Sequence, residues 1–430
     1  MSSPAGSDEY AQSQVPAAAA TCSGWQIAIV KIGVILALPA FIIGAQIGFS
    51  MGLARAAVSV AIGAVVLGVL SALTGTIGAV TRQSTALIIR YAFGTLGARL
   101  VSALLGATLI GFFAVTVELF GRSLAALSQD VFGLRVAASA CIIGGGALMV
   151  LTSIYGFRGL KRLADVAVPV KLIGLMWVVA IAMRDRGMGE LFVAPTQPES
   201  LGVGISAVIG GVAVGATIFP DLTRYARTSG HAKAAAIGSY VLAFPLVLLL
   251  AAIPSIVTQE ADLLRIMVTM SLGLPAFVFL VFAAWTTNTS NLYSAGLGLS
   301  NLFGKRSFPV LAAASGALGI ALALFGITDS LMPLLVVLGV AIPPIAGVYL
   351  ADFYIVRRQR YDEESLQTLP AISWRAFAAW GAGVTLGLAG AADLIRLTGV
   401  PAIDSILIAF VMYSLACTTR VRIETALEQK

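Results

Sequence analysis

Long apolar runs dominate the sequence, and their length limits what the chain can fold into. One after another they extend over about 17–25 residues, the length an α-helix needs to cross the hydrocarbon core of a bilayer. A transmembrane β-barrel would instead show alternating segments of about ten residues. Only 11% of the 430 residues are Asp, Glu, Lys or Arg, and the mean hydropathy is +0.96. Soluble domains carry roughly 25% charged residues, so a water-covered globule is excluded. The fold class is therefore an all-α polytopic membrane protein.

Twelve spans can be drawn: Trp25–Gly52, Ala56–Val80, Arg99–Leu127, Val136–Gly156, Leu163–Met183, Val203–Phe219, Ala234–Val257, Pro275–Leu302, Pro309–Gly326, Leu331–Tyr354, Phe377–Leu394 and Ile403–Cys417. With a cytosolic N-terminus, Arg55, Arg122, Arg135, Arg184, Arg186, Arg265 and Arg396 face outside, and Lys31 and Lys171 fall within spans. The remainder of the 27 Lys and Arg lie on the cytosolic side. That asymmetry places both termini in the cytosol and the protein in the cytoplasmic membrane. The net charge of +7 then reports topology, not nucleic-acid binding. Residues 1–24 read as a disordered cytosolic tail without the apolar core of a signal peptide. The separated Cys22, Cys141 and Cys417 read as reduced thiols. Many of the 45 glycines, such as Gly44, Gly48 and Gly52, have the spacing that lets helices approach closely in lipid.

Two spans carry helix breakers near the middle of the membrane. Pro39 interrupts span 1, removing a backbone donor and freeing carbonyls one turn earlier. The run Gly210-Gly211-Val212-Ala213-Val214-Gly215 makes a weak helix in span 6. Freed backbone in lipid must be buried or line a cavity. Breaks five spans apart are the pattern of transporters built from inverted repeats, with substrate and ion at the breaks. Span 8 adds a polar run from Trp285 to Ser294. The hydroxyls of Thr286 and Thr287 are neutral oxygen donors suited to a small hard cation. The amides of Asn288 and Asn291 share one helix face and offer both donor and acceptor, matching a nucleobase-like edge.

At these residues the sequence resembles the nucleobase–cation symporter family, and within it the bacterial cytosine permeases. The stretches that carry the resemblance are Arg90–Gly97, Phe219–Arg227, Trp285–Ser294 and Ile342–Asp352. The resemblance implies a leucine-transporter-like fold, a 5+5 inverted repeat plus two accessory helices. Residues 25–354 would form the transporter core, with repeats 25–183 and 203–354. Residues 355–430 would hold a cytosolic loop, the accessory helices and a short tail. It further implies a secondary importer of a cytosine- or purine-like heterocycle, coupled to sodium or protons, with no other cofactor and no catalytic residues. The family's sodium ligands carry over to the carbonyls of Ala37, Ala40 and Ala283 and the hydroxyls of Thr286 and Thr287. Ala37 also lies two residues before Pro39, where a carbonyl loses its helical partner. Around the base, the span-3 Trp and span-6 Phe of cytosine permeases become Phe112 and Val212. The span-3 Gln becomes Leu109, and the span-6 serines become Gly211 and Val214. Asn288 keeps its type, Asn291 lies nearby, and Thr116 shares a face with Phe112. These departures point to a larger or more apolar heterocycle, such as a hydantoin or a vitamin-like ring.

Ionisable groups inside the membrane are functional candidates by default. Lys171, two residues after Pro169, either snorkels to the cytosolic interface or replaces the ion with its ammonium. Glu118 and Arg122 read as a structural ion pair at i and i+4. Asp352 with Arg357 or Arg358, and Asp221 with Arg224, could pair on the cytosolic side. His231 falls in a solvated loop. A same-fold amino-acid transporter is the nearest rival. A polyamine carrier is disfavoured because no acid lies near either break. An intramembrane enzyme would need an acid, His or nucleophile cluster that the spans lack, and a receptor or scaffold would not need the polar run in span 8.

Overall fold

A computed structural model describes residues 10–430 except 188, 193–194, 196–198, 261–265, 267–272, 305, 327–339, 362–365, 367, 393, 396 and 429–430. The first part of span 10, together with Arg265 and Arg396, lies outside the described residues. Among the described residues the secondary structure is helical, apart from a single parallel bridge between Cys22 and Ala226.

Span 1 begins with a capping box. Ser23 Oγ accepts the Gln26 N–H, and Gln26 Oε1 accepts the Ser23 N–H. The helix Gly24–Ile35 then stops, because Leu36 (ψ 68°) and Ala37 (φ −123°, ψ 159°) leave helical geometry. A second helix starts at Leu38, with Pro39 in its first turn where a missing N–H costs nothing. It runs to Thr81, turned only at Gly52 (φ 70°, ψ 170°), which divides span 1 from span 2. A left-handed φ of that size suits glycine, so Gly52 makes the turn instead of packing a helix pair. Gly44 and Gly48 do pack. A Cβ on Gly44 would lie 2.5 Å from the Leu248 carbonyl, and one on Gly48 would lie 2.8 Å from the Ala252 backbone.

Span 3 is the helix Thr95–Phe132, span 4 Ala138–Ser153 and span 5 Gly156–Arg186. Span 6, Leu201–Thr217, runs unbroken through Gly210–Gly215 and ends at Ile218. The weak stretch stays helical, and the break comes where Pro220 lacks an N–H to continue the ladder. Span 7 extends from Ser229 to Thr258 through a π-helical segment at Ile237–Ala243. Span 8 is Gly273–Leu302 and lies along span 3. Span 9 is Phe308–Leu324, and the described part of span 10 includes Pro343–Ala351. The last two helices, Trp374–Ala391 and Pro401–Glu428, pack on each other.

Residues 10–23 depart from the disordered tail expected for residues 1–24. Val15 and Ala11 are buried, and the Val15 N–H donates to the Arg82 carbonyl. Cys22 exchanges backbone bonds with Tyr225 and Arg227, the loop after span 6. An apolar Val with a paired backbone has reason to leave water even in a polar stretch. His231 is half-buried in the first turn of span 7, where its backbone N–H reaches the Thr228 hydroxyl. Glu118 and Arg122 form the expected i, i+4 ion pair, with Glu118 buried and Arg122 half exposed. Asp352 pairs with Arg357 at 3.1 Å and accepts from Tyr361 and Tyr413.

Candidate cation and substrate site

The break in span 1 decides where its unpaired carbonyls point. In a continuous helix the Gly33 carbonyl would receive the Ala37 N–H. Here Ala37 N–H turns instead to the Ile35 carbonyl at 2.7 Å. Three side chains converge on the backbone so exposed. Thr286 Oγ1 donates to the Gly33 carbonyl at 2.7 Å, and Thr287 Oγ1 reaches the Val34 carbonyl at 3.1 Å. Lys171 Nζ, entering from span 5, donates to the carbonyls of Gly33 (2.7 Å) and Leu36 (2.8 Å) and to Thr286 Oγ1 (2.8 Å). A shared hydroxyl proton cannot serve two acceptors at once, so Thr286 accepts from the ammonium while donating to one carbonyl.

Thr286 and Thr287 therefore meet span 1, as expected from the sequence, while the Ala283 carbonyl accepts from Thr287 within span 8 itself at 3.1 Å. The span-1 carbonyls in the cluster are those of Gly33, Val34 and Leu36. Ala37 and Ala40 instead open the second half-helix, and the Ala37 carbonyl accepts the Phe41 N–H. Lys171 is fully buried, so it does not snorkel. Of the five sodium ligands that the resemblance implies, Lys171 takes one, the Thr286 hydroxyl; its other partners are the Gly33 and Leu36 carbonyls, one turn before Ala37 and Ala40. A sodium ion would have to share the Thr286 oxygen with the ammonium, and like charges at that distance repel, so the residues present do not fit both.

The end of span 6 forms a second cluster that the sequence did not reveal. Pro220 has no N–H for the Ala216 carbonyl, and the Asp221 N–H turns to Ile218. Three consecutive carbonyls are then met by side chains from other spans. Lys31 of span 1 donates to Gly215 (3.1 Å), Thr74 of span 2 to Ala216 (2.9 Å) and Tyr349 of span 10 to Thr217 (2.6 Å). The Lys31 ammonium also lies over the rings of Phe219 and Tyr240. Pro220, just beyond the glycine run, is the one sign of this break in the sequence.

The proposed substrate positions are held by different neighbours. Asn288 is fully buried, with Nδ2 3.4 Å from the Phe113 carbonyl and 3.3 Å from Met149 Sδ. Its Oδ1 has no hydrogen-bond partner among the described residues. Phe112, next to Phe113 on span 3, is half-buried, and Thr116 one turn on is buried. Asn291 is half-buried. Gly211 lies against the Ile43 side chain of span 1, and Val212 is half-buried beside it. Spans 3 and 8 are thus joined at Asn288, and spans 1 and 6 at Gly211.

At the end of the bundle beyond span 6 the helix ends are laced together. The Asp221 carboxylate accepts the Thr85 N–H at 2.8 Å, at the N-terminus of the loop helix Thr85–Phe93. Arg224 reaches the Tyr10 carbonyl (2.8 Å) and the Tyr293 hydroxyl of span 8 (2.8 Å). Arg90 donates to Asn301 Oδ1, and Asn301 in turn donates to Ser102 and to the Ala86 carbonyl.

Comparison with known proteins gives consistent relatives. A family described as permeases for cytosine/purines, uracil, thiamine and allantoin matches residues 14–411. The cytosine permease of Escherichia coli K12 is 32% identical over 333 residues, covering 76% of this chain and 77% of that one. Among solved structures, the nucleobase-cation-symport-1 family transporter Mhp1, closed with bromovinylhydantoin bound, superposes with a TM-score of 0.80 at 19% identity. It covers 98% of this chain and 96% of its own. A Na+-coupled sialic acid symporter in a substrate-bound outward-open state has a TM-score of 0.71 at 11% identity, covering 97% and 92%.

Proposed function

The chain belongs to the family of permeases for cytosine/purines, uracil, thiamine and allantoin, and on that premise we propose that it imports a nucleobase-like heterocycle across the cytoplasmic membrane. It is a secondary transporter, not an enzyme. In this reading the substrate sits between spans 1, 3, 6 and 8 and is carried by alternating access. A cation at the junction of spans 1 and 8 holds the substrate-competent arrangement. Both termini are cytosolic, in keeping with the excess of Lys and Arg in the loops on that side.

The observation that carries the reading is Asn288. A buried amide oxygen without a partner costs roughly 1–3 kcal/mol. A ring N–H of a nucleobase or hydantoin would supply the missing donor, and Phe112, the residue before the Phe113 carbonyl that Asn288 meets, would offer an aromatic face. One ring and one amide fewer than in cytosine permeases favours a larger or more apolar ring than cytosine. The test is a binding panel on purified protein with cytosine, uracil, hypoxanthine, allantoin, thiamine, benzylhydantoin and an amino acid. At least one heterocycle is expected to bind, with affinity lowered about tenfold to a hundredfold in Asn288→Ala, the loss equivalent to one buried hydrogen bond. Binding of the amino acid alone would overturn the substrate class.

A further inference from the structure

The family resemblance puts a sodium ion at the junction of spans 1 and 8, where Lys171 Nζ already holds the Thr286 hydroxyl, one of the implied ligands, and the carbonyls one turn before two others. We propose that Lys171 Nζ fills the cation position of this site, so that the protein needs no sodium to bind its substrate. The inference rests on the transport reading above for the meaning of the site, and on geometry for its occupant.

Four observations support the assignment. The Lys171 ammonium bonds to the Gly33 and Leu36 carbonyls and to Thr286 Oγ1, each within 2.8 Å, which uses all three of its protons. Its partners are neutral oxygens from two different spans, the donor set a small hard cation would take. The side chain is fully buried, and a buried charge persists only where it is paired or fully hydrogen-bonded. Finally, no acid competes for it. The helices packed against span 5 are Gly24–Ile35, Ala138–Ser153, Phe244–Thr258 and Gly273–Leu302, and none contains Asp or Glu. The ionisable groups these helices do carry are Lys31, Cys141 and Tyr293. Lys31 is committed to Gly215, and Tyr293 to Arg224. On span 5 itself, Asp165 lies nearly two turns away and is exposed.

A free sodium ion and a tethered ammonium differ in one respect that matters for coupling. Sodium joins spans 1 and 8 only when it is bound, so its concentration biases the conformational equilibrium. Lys171 adds span 5 to the same junction and is present at unit occupancy. Span 1 is then held against spans 5 and 8 whether or not sodium is available, and a sodium gradient has no purchase on this site.

The test measures the thermal stability of purified full-length protein while sodium chloride replaces choline chloride at constant ionic strength, first without substrate and then with cytosine. A ligand that binds only the native state must raise its stability. The wild type is expected to show no sodium-dependent shift, and its cytosine affinity is expected to stay constant between the two salts. A saturable rise with sodium in the wild type would overturn the proposal, and needs no variant to be seen. Lys171→Ala removes the ammonium and leaves the acceptors facing a void. It is expected to be less stable in choline and to recover stability in sodium. A Lys171→Ala protein as stable as the wild type in choline would show that the ammonium does not hold the junction, and would also overturn it. The substrate-free arm separates the two readings. If no heterocycle binds while the wild type ignores sodium, the transport reading fails and the cation assignment stands.

Discussion

The Tyr349 hydroxyl lies 2.6 Å from the Thr217 carbonyl, and this single bond fastens span 10 to the point where span 6 ends. Tyr349 is fully buried, and the carbonyl has lost its helical donor because the chain turns at Ile218 before Pro220. Tyr349→Phe keeps the ring and deletes the donor, leaving the acceptor unsatisfied in an apolar surrounding. The expected cost is about 1–3 kcal/mol, read as a fall in melting temperature. Thr74→Val, which strips the donor from Ala216 one residue earlier, should behave alike. Thr385→Val should change little, because that hydroxyl bonds its own helix at an exposed position. Equal effects for all three would mean that the span-6 carbonyls are reached by water.

The glycines of span 1 lead to a second expectation. A Cβ on Gly48 would lie 2.8 Å from the Ala252 Cα and carbonyl, and one on Gly44 would lie 2.5 Å from the Leu248 carbonyl. Backbone cannot yield as a side chain can, so alanine at either site must push span 7 away from span 1. Overpacking of this kind costs about 1–3 kcal/mol. Gly144 in span 4 has nothing within 4 Å of its would-be Cβ. Gly144→Ala should therefore be neutral or stabilising by up to about 1 kcal/mol, the difference in helix propensity. Thermal unfolding of the three variants in one detergent decides the matter, and a destabilised Gly144→Ala would count against the packing argument.

Much of this architecture was legible from the sequence, and what escaped it has a physical cause. Hydropathy located the helices because lipid leaves backbone no alternative to internal hydrogen bonding. Pro39 marked the break in span 1, and Thr286 and Thr287 marked the surface facing it. The carbonyls that Lys171, Thr286 and Thr287 meet lie about one turn before Ala37 and Ala40, since a proline shows where a ladder is interrupted but not which way the freed oxygens turn. The glycine run in span 6 misled for a related reason. Glycine lowers helix propensity, yet a helix buried among other helices keeps its ladder, whereas Pro220 cannot donate at all. Sequence position leaves Lys171 open to snorkelling or to the ion site, because it does not reveal the direction of a long side chain. The N-terminal segment was misjudged for its polarity, although Val15 and Cys22 anchor it to the loops beyond spans 2 and 6.

Asp352 carries a third expectation. Its carboxylate, almost wholly buried, receives Arg357 Nε (3.1 Å), the Tyr361 hydroxyl (2.7 Å) and the Tyr413 hydroxyl (2.8 Å). The last of these ties span 10 to span 12. Removing one partner of a buried pair is more harmful than the pair is helpful, because the remaining charge is left desolvated. Asp352→Ala should destabilise by roughly 3–5 kcal/mol. Asp352→Asn, which keeps an acceptor for Tyr413, should lose less. Tyr413→Phe should lose least, since the carboxylate keeps Arg357 and Tyr361. Any other order in the melting temperatures would place the stabilisation outside this network.

Cys22 offers a reporter for the end of the bundle beyond span 6. Its thiol is buried, and its backbone pairs with Tyr225 and Arg227 beside the Arg224 cluster. Burial pushes the thiol above its usual range, against the opposing pull of Lys161 and Arg227. The thiolate is the reactive form, so a raised pKa means less of it at neutral pH than at an open cysteine. In a protein with Cys141 and Cys417 replaced by Ser, maleimide labelling of Cys22 should be slow at neutral pH and accelerate as pH rises. Arg224→Met removes the bonds to Tyr10 and Tyr293 that hold this surface together. It should expose the thiol and bring the labelling rate at neutral pH towards that of a free cysteine, by about tenfold if the thiol pKa falls by one unit. Unchanged labelling in Arg224→Met would show that the N-terminal segment is fastened without the arginine, through the backbone bonds of Cys22 and Val15 alone.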